Sequence, residues 1–309
     1  MSLLSIKRYL DLPGGEKHIR NEYPQDSLYG IDHYGTFPRY MNVLSTFLAC
    51  GYLAADDTIE ERSCPAELGG YVMETSARFG KVFAAAAGQS VEYALLADRH
   101  HEAPGLGRYH RAGAPAELGL SMPFTATPSY LLSENRVPFS VLGPNPIAGD
   151  FEKYVTEVVP SRMLAISSGY LDGAGNRHLL CQEEDPGCAA VLEQSVERAA
   201  FRVEWPSASE EIALDEKGLH ILCRRKTAAE GAALWAIPLL AYNGREYTVF
   251  ETGSNRITVT YGGWKSTLSS EATLILTDEY YGNRNGIYRV AYIQGDSAEC
   301  RGMINMCKL

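Results

Sequence analysis

The stretch Asp26–Ala55, DSLYGIDHYGTFPRYMNVLSTFLACGYLAA, holds one amphipathic helix, and the periodic segments after it carry the two-residue repeat of β-strands. Thr36 is placed to cap the first free amides, and Pro38 sits where a missing N–H does no harm. Tyr40, Leu44, Phe47, Leu48 and Gly51 then recur at helical spacing. Asp56 and Asp57 open an acidic link to Ser63. A shorter helical piece, Leu4–Leu10, stops at the breakers Asp11-Leu12-Pro13-Gly14-Gly15. One helix cannot bury its own apolar stripe, so these pieces read as the remnant of a larger helical layer. The sequence predicts a mainly β protein, with a short helical remnant over 1–62 and a large antiparallel β-sandwich over 63–309.

The strands announce themselves by alternation. Val91, Tyr93, Leu95 and Ala97 share one face against Ser90, Glu92 and Ala94; Ala199, Phe201, Val203 and Trp205 stand against Arg198, Arg202 and Glu204. Leu219, Ile221 and Cys223 repeat the pattern, as do Ile257, Val259 and Tyr261. Asn243-Gly244 is a two-residue hairpin signal, and Asp172-Gly173, Lys217-Gly218 and Asn285-Gly286 mark further tight turns. Linkers are expected at Asp56–Ser63, Gly143–Asp150 and Gln182–Gly187. No fixed-period repeat is present, which disfavours propellers and solenoids.

Composition narrows the function. The 309 residues are 45% hydrophobic and 21% charged, enough for one large core and a smaller unit. No apolar run approaches the ~18 residues of a membrane span. The start of the sequence shows neither the apolar stretch nor the cleavage site of a signal peptide; a cytoplasmic setting is expected from the scattered, reduced cysteines. Net charge is 28 − 38 = −10 with no basic block, which argues against nucleic acid as a partner. The seven cysteines lack C-x-x-C spacing and read as reduced and structural.

Chemistry-bearing motifs are few: there is no Walker loop, G-x-G-x-x-G, H-E-x-x-H or G-x-S-x-G. Two polar, aromatic concentrations remain. One is His18-Ile19-Arg20-Asn21-Glu22-Tyr23 followed by Asp32-His33-Tyr34. The other is Asp98-Arg99-His100-His101-Glu102 with Arg108-Tyr109-His110-Arg111. A histidine and a tyrosine at the start of a helix suit proton transfer, although Tyr34 and Tyr40 could equally pack while His33 is solvated. Adjacent His100 and His101 on a strand would point to opposite faces and rarely share an ion, so no metal and no cofactor are expected. Arg108 and His110 share a face if their segment is extended, setting a fixed cation beside a titratable ring; a solvated loop is the alternative. Trp205, Trp235 and Trp264 read as core residues rather than a sugar platform.

Pro13–Asn21, Tyr34–Met41, Cys64–Tyr71, Gly105–Arg108 and Gly282–Gly286 together resemble the bacterial heparinase II/III-like family, whose order of elements runs along nearly the whole chain. The resemblance implies an incomplete (α/α) toroid over 1–62 followed by the sandwich. It further implies a polysaccharide lyase acting on acidic, uronate-containing glycans by β-elimination. On that footing Tyr34 with His33 and a sandwich histidine, His100 or His110, would move protons, while Arg20, Asn21 and Arg108 would bind the uronate carboxylate. The family's zinc-bearing versions have a histidine- and aspartate-rich strand where this chain reads Ala84-Ala85-Ala86-Ala87-Gly88-Gln89-Ser90-Val91-Glu92, so a structural zinc is not expected. Most sugar subsites would lie on upstream helices, which makes the chain alone an expected poor catalyst.

Two other functions use the same scaffold. A glycoside hydrolase would need two carboxylates in one cleft, with Asp26, Asp32, Glu67 and Glu92 as candidates. A non-catalytic carbohydrate-binding or assembly sandwich would expose its tryptophans. The uncovered helix face also predicts a homo-oligomer.

Overall fold

The computed structural model describes residues 26–27, 46–47, 49–54, 56, 58, 60, 62–96, 103–120, 124–125, 130–131, 163–182, 185–226, 231–242, 247–283 and 286–309. Residues 46–47 and 49–53 are helical, with Phe47, Tyr52 and Leu53 exposed. Beyond them the chain is mainly β and its ladders are antiparallel, as the alternation predicts.

An eight-stranded sheet forms one layer. Its order is β11 (Cys188–Gln194), β12 (Ala199–Glu204), β13 (Ala208–Asp215), β14 (Gly218–Arg225), β21 (Glu299–Lys308), β18 (Trp264–Ser269), β17 (Arg256–Tyr261) and β16 (Val249–Thr252). Strict alternation gives this sheet two unlike faces. Ala199, Leu214, Leu219, Ile304, Leu268 and Ile257 stand in register across six strands, and all are buried. Burying each of the larger side chains in that row is worth roughly 1.5–3 kcal/mol relative to exposure. The reverse face is a charged lattice. Glu211 takes Arg202 and Arg224 at 2.7 Å each, and Glu299 takes Arg224 at 2.9 Å and Arg301 at 2.6 Å.

Two smaller sheets share the apolar face. A four-stranded meander, β2 (Tyr71–Glu74), β3 (Lys81–Ala86), β4 (Gln89–Ala94) and β5 (Gly105–Arg111), covers β12 and β13. Its inward rung is Val72, Ala84, Val91 and Tyr109, all buried. A helical turn, α1 (Pro65–Leu68), leads into it, closed by the Glu67 carboxylate on the Cys64 amide at 2.9 Å.

A seven-stranded sheet covers β14, β21 and β17. Its order is β10 (Arg177–Leu179), β9 (Ser167–Leu171), β15 (Ala233–Tyr242), β20 (Gly286–Gln294), β19 (Thr273–Asn283), β6 (Phe124–Thr125) and β8 (Met163–Leu164). A separate pair joins β1 (Asp26–Ser27) to β7 (Tyr130–Leu131). Strand β15 is buried at nearly every position and so reads as an unbroken apolar run rather than an alternation. It carries Pro238, which cannot donate to a ladder; β9 pairs only as far as Ala236, so the proline meets one neighbouring strand instead of two.

Among the described residues the two smaller sheets meet at one rung, where Leu106 N–H donates to Ile166 O at 3.0 Å and Ile166 N–H donates back at 3.2 Å. Beside this seam lies Glu210, fully buried. Its carboxylate accepts the Tyr93 hydroxyl from the four-stranded sheet and the Ser168 amide, at 2.9 Å, from the seven-stranded one. The Trp205 indole N–H donates to the Tyr93 oxygen at 3.0 Å. Burial, and then the neighbouring Glu210 charge, push the Tyr93 phenol well above its ordinary range. Three sheets thus converge on one carboxylate. Trp205 and Trp235 are buried and Trp264 packs partly buried against the core, so the expectation that tryptophans serve the core holds.

Candidate functional site

Of the residues expected to act, Tyr34, His33, His100, Arg20 and Asn21 lie outside the described residues. Arg108 and His110 lie on β5, which is extended, so they do share a face. Arg108 stands opposite Glu92 of β4. His110 Nε2 lies 3.2 Å from the Ala114 carbonyl, and its ring sits close against Gly119, so this imidazole braces the turn after β5. The hydrolase candidates Glu92 and Glu67 are each engaged, Glu92 with buried Lys81 at 3.0 Å and Glu67 in the cap of α1. The side chain of Asp26, and all of Asp32, fall outside the described residues. Among the described residues no group of three metal-ligating side chains comes together.

The hairpin joining β9 to β10 gathers a different set. Asp172 builds its turn: Oδ1 accepts the amides of Ala174 at 2.9 Å and Asn176 at 2.7 Å, and Gly175 supplies the positive φ. The second oxygen, Oδ2, accepts the Asn176 side-chain amide at 2.9 Å and His178 Nε2 at 3.0 Å. The bonds from His178 and Asn176 hold the Asp172 carboxyl well below the usual carboxylate range. It is therefore an anion across the whole working pH range, and it fixes both the plane and the tautomer of the imidazole. With the proton on Nε2, Nδ1 is the basic nitrogen.

Register does the rest. His178 is the direct cross-strand partner of Tyr170, and their rings stack at 4.8 Å with planes 15° apart. The Arg225 guanidinium, at the end of β14, lies 4.3 Å from the centre of the same tyrosine ring, and its Nη1 is anchored on the Gly231 carbonyl at 2.8 Å. The His178 side chain is 48% exposed and Asp172 30%, so the imidazole is open to a solute while its orienting partner is partly shielded. The result is an oriented imidazole, a phenol and a fixed cation at the rim of the sandwich.

On the other face of β10, Arg177 pairs with Glu279 and lies over the Tyr292 ring at 4.1 Å; the Tyr292 hydroxyl donates to Glu279 at 2.9 Å. Burial, followed by the Glu279 charge, pushes the neighbouring Tyr281 phenol up to about 12. This second set is more enclosed, and its cation is already neutralised by a carboxylate.

Sequence reasoning passed over Tyr170, Asp172, His178 and Arg225. The Asp172-Gly173 turn signal was present, and a hairpin closing there sets Tyr170 against His178; the arrival of Arg225 from another sheet has no local signal.

No family model and no curated protein sequence matches this chain. Among solved structures it is distantly similar to heparan sulfate lyase HepC from Pedobacter heparinus. The TM-score is 0.46 and identity 11%, over 90% of this chain and 42% of that one. It is also similar to the protein described as HI1317, with TM-score 0.42 and 9% identity over 77% of this chain and 99% of the other. A 4-alpha-glucanotransferase from Thermococcus litoralis gives TM-score 0.42 and 12% identity over 78% and 42%. The chain thus spans less than half the length of the heparan sulfate lyase it matches.

Proposed function

We propose that this chain forms the sheet portion of a polysaccharide lyase acting on uronate-containing glycans by β-elimination. The observation that carries the reading is the Asp172-oriented His178 stacked on Tyr170 beside Arg225. Elimination next to a carboxylate needs three things: a base for the proton on the carbon bearing that carboxylate, a cation to offset charge building on it, and an acid for the departing glycosidic oxygen. His178 Nδ1 takes the proton, the Arg225 guanidinium faces the carboxylate, and the Tyr170 hydroxyl protonates the leaving oxygen. Tyr34 and His33, with Arg20 and Asn21, enter the same proposal as a second shuttle from the helical side, alongside Arg108, His100 and His110 of the sandwich.

The test is the absorbance of the unsaturated uronate product on acidic polysaccharides such as heparan sulfate and alginate. Replacing His178 by Ala should lower the rate by about 10²–10⁴-fold, the usual worth of a positioned base. If Tyr34→Phe removes activity while His178→Ala leaves it intact, the base belongs to the helical side and the rim assignment fails. Reducing-end release without the enoate band would make the protein a hydrolase.

A further inference from the structure

Cys223 of β14 and Cys300 of β21 are direct cross-strand partners on the buried face of the eight-stranded sheet, 300 − 223 = 77 residues apart in sequence. The Arg225 amide bonds to the Ala298 carbonyl at 2.8 Å, two positions along the same ladder, so Cys223 and Cys300 form a hydrogen-bonded pair by alternation. In such a pair the Cα atoms lie about 5.5 Å apart, inside the roughly 4.4–6.8 Å that a disulfide spans. The Cys223 thiol is close enough to Cys300 to be the main influence holding its thiol above the ordinary range. Cys300, itself buried, also borders an open cavity of about 670 Å3 lined by Ser269, Ser270, Asp296, Ser297 and Arg301.

We infer that Cys223 and Cys300 are a site of reversible oxidative modification, converted to a cross-strand disulfide by low-molecular-weight disulfides. The thiolate of Cys300 attacks one sulfur of the reagent, giving a mixed disulfide and releasing one thiol. Cys223 then displaces the second thiol and closes the bond. The two protein protons end on the two released thiols, and the two electrons pass to the reagent disulfide. The Cys223 contact, then burial, hold the Cys300 thiol well above its ordinary range, so the first attack is slow beside that of the exposed Cys50, Cys64, Cys188 and Cys307. Once the mixed disulfide forms, its resolving partner is already in contact. The bond would tie the two central strands of the larger sheet together.

The test holds the folded, reduced chain in excess oxidised glutathione, then denatures it, alkylates the remaining thiols and digests it. The expected product is a disulfide-linked peptide pair containing Cys223 and Cys300, lighter by two hydrogen atoms, while the exposed cysteines carry glutathione. The linked form should also unfold at a higher temperature than the same sample after reduction. Glutathione on the exposed cysteines with Cys223 and Cys300 still alkylated would overturn the inference, since the reagent was then active. A link from either of them to Cys181, also buried, would overturn it as well; a Cys181→Ala chain should keep the Cys223–Cys300 link.

Discussion

Glu210 and Asp172 are both carboxylates that organise aromatic neighbours, and they do opposite work because of where they sit. Glu210 is sealed between three sheets, with its oxygens on Tyr93 and Ser168, and nothing from solvent reaches it. Asp172 lies at the rim, spends one oxygen on its own turn and the other on His178, and leaves the far side of that imidazole to water. Low dielectric makes the first set costly to disturb and chemically silent. Solvent contact makes the second cheap to disturb and available for proton transfer. The same pairing of acid and aromatic ring becomes architecture or chemistry according to burial.

The sharpest way to break this contrast is Glu210→Ala. It strands the Tyr93 hydroxyl and the Ser168 amide in the core, and should cost about 3 kcal/mol in urea unfolding. A loss under about 1 kcal/mol would mean the sheets are held together without the network. Next comes alkaline pH. The folded Tyr281 pKa of about 12 lies above the ordinary value of 10.0, so its contribution is complete below pH 10 and disappears as pH rises through 12. Burial also raises Tyr93, Tyr109 and Tyr292, in the same direction. Unfolding free energy should therefore fall between pH 10 and 12, by about 2 kcal/mol from Tyr281; a flat profile would place these phenols in solvent.

Asp172→Asn probes the rim alone. It should lower kcat/KM for enoate formation about tenfold, with a displaced acid limb in the pH profile, while the urea midpoint stays nearly fixed. A collapse in stability would give Asp172 a purely structural role. The smallest effect belongs to Arg224→Ala in the charged lattice. Despite the opposing effect of partial burial, the bonds from Arg202 and Arg224 keep Glu211 below its ordinary value, but the lattice is solvated. The loss should stay under about 1 kcal/mol and shrink in salt.

The strands that sequence reasoning located are those with one wet face. Ala199–Val203 and Leu219–Cys223 alternate because the charged lattice lies opposite their apolar side, and Ile257–Tyr261 because Thr258 and Thr260 stand on the reverse face. Strand β15 escaped the same reading because both of its faces are covered, which erases the period. The turns at Asp172-Gly173 and Lys217-Gly218 fall between paired strands as expected, whereas Asn243-Gly244 and the helix start at Thr36 lie outside the described residues. The rim site was half legible: the hairpin fixes Tyr170 against His178, but Arg225 arrives through sheet packing, which no local pattern encodes. The cysteines teach the same lesson, since Cys223 and Cys300 look unrelated in sequence and become neighbours only through the β14–β21 ladder.

The single rung between Leu106 and Ile166 has a mechanical consequence. A ladder of many rungs would join the smaller sheets through backbone alone; with one bridge among the described residues, the join falls to side chains, foremost the Tyr93–Glu210–Ser168 bridge. Arg108 of β5 and Tyr170 of β9 thus belong to two sheets whose mutual placement is set by polar groups sealed inside the core.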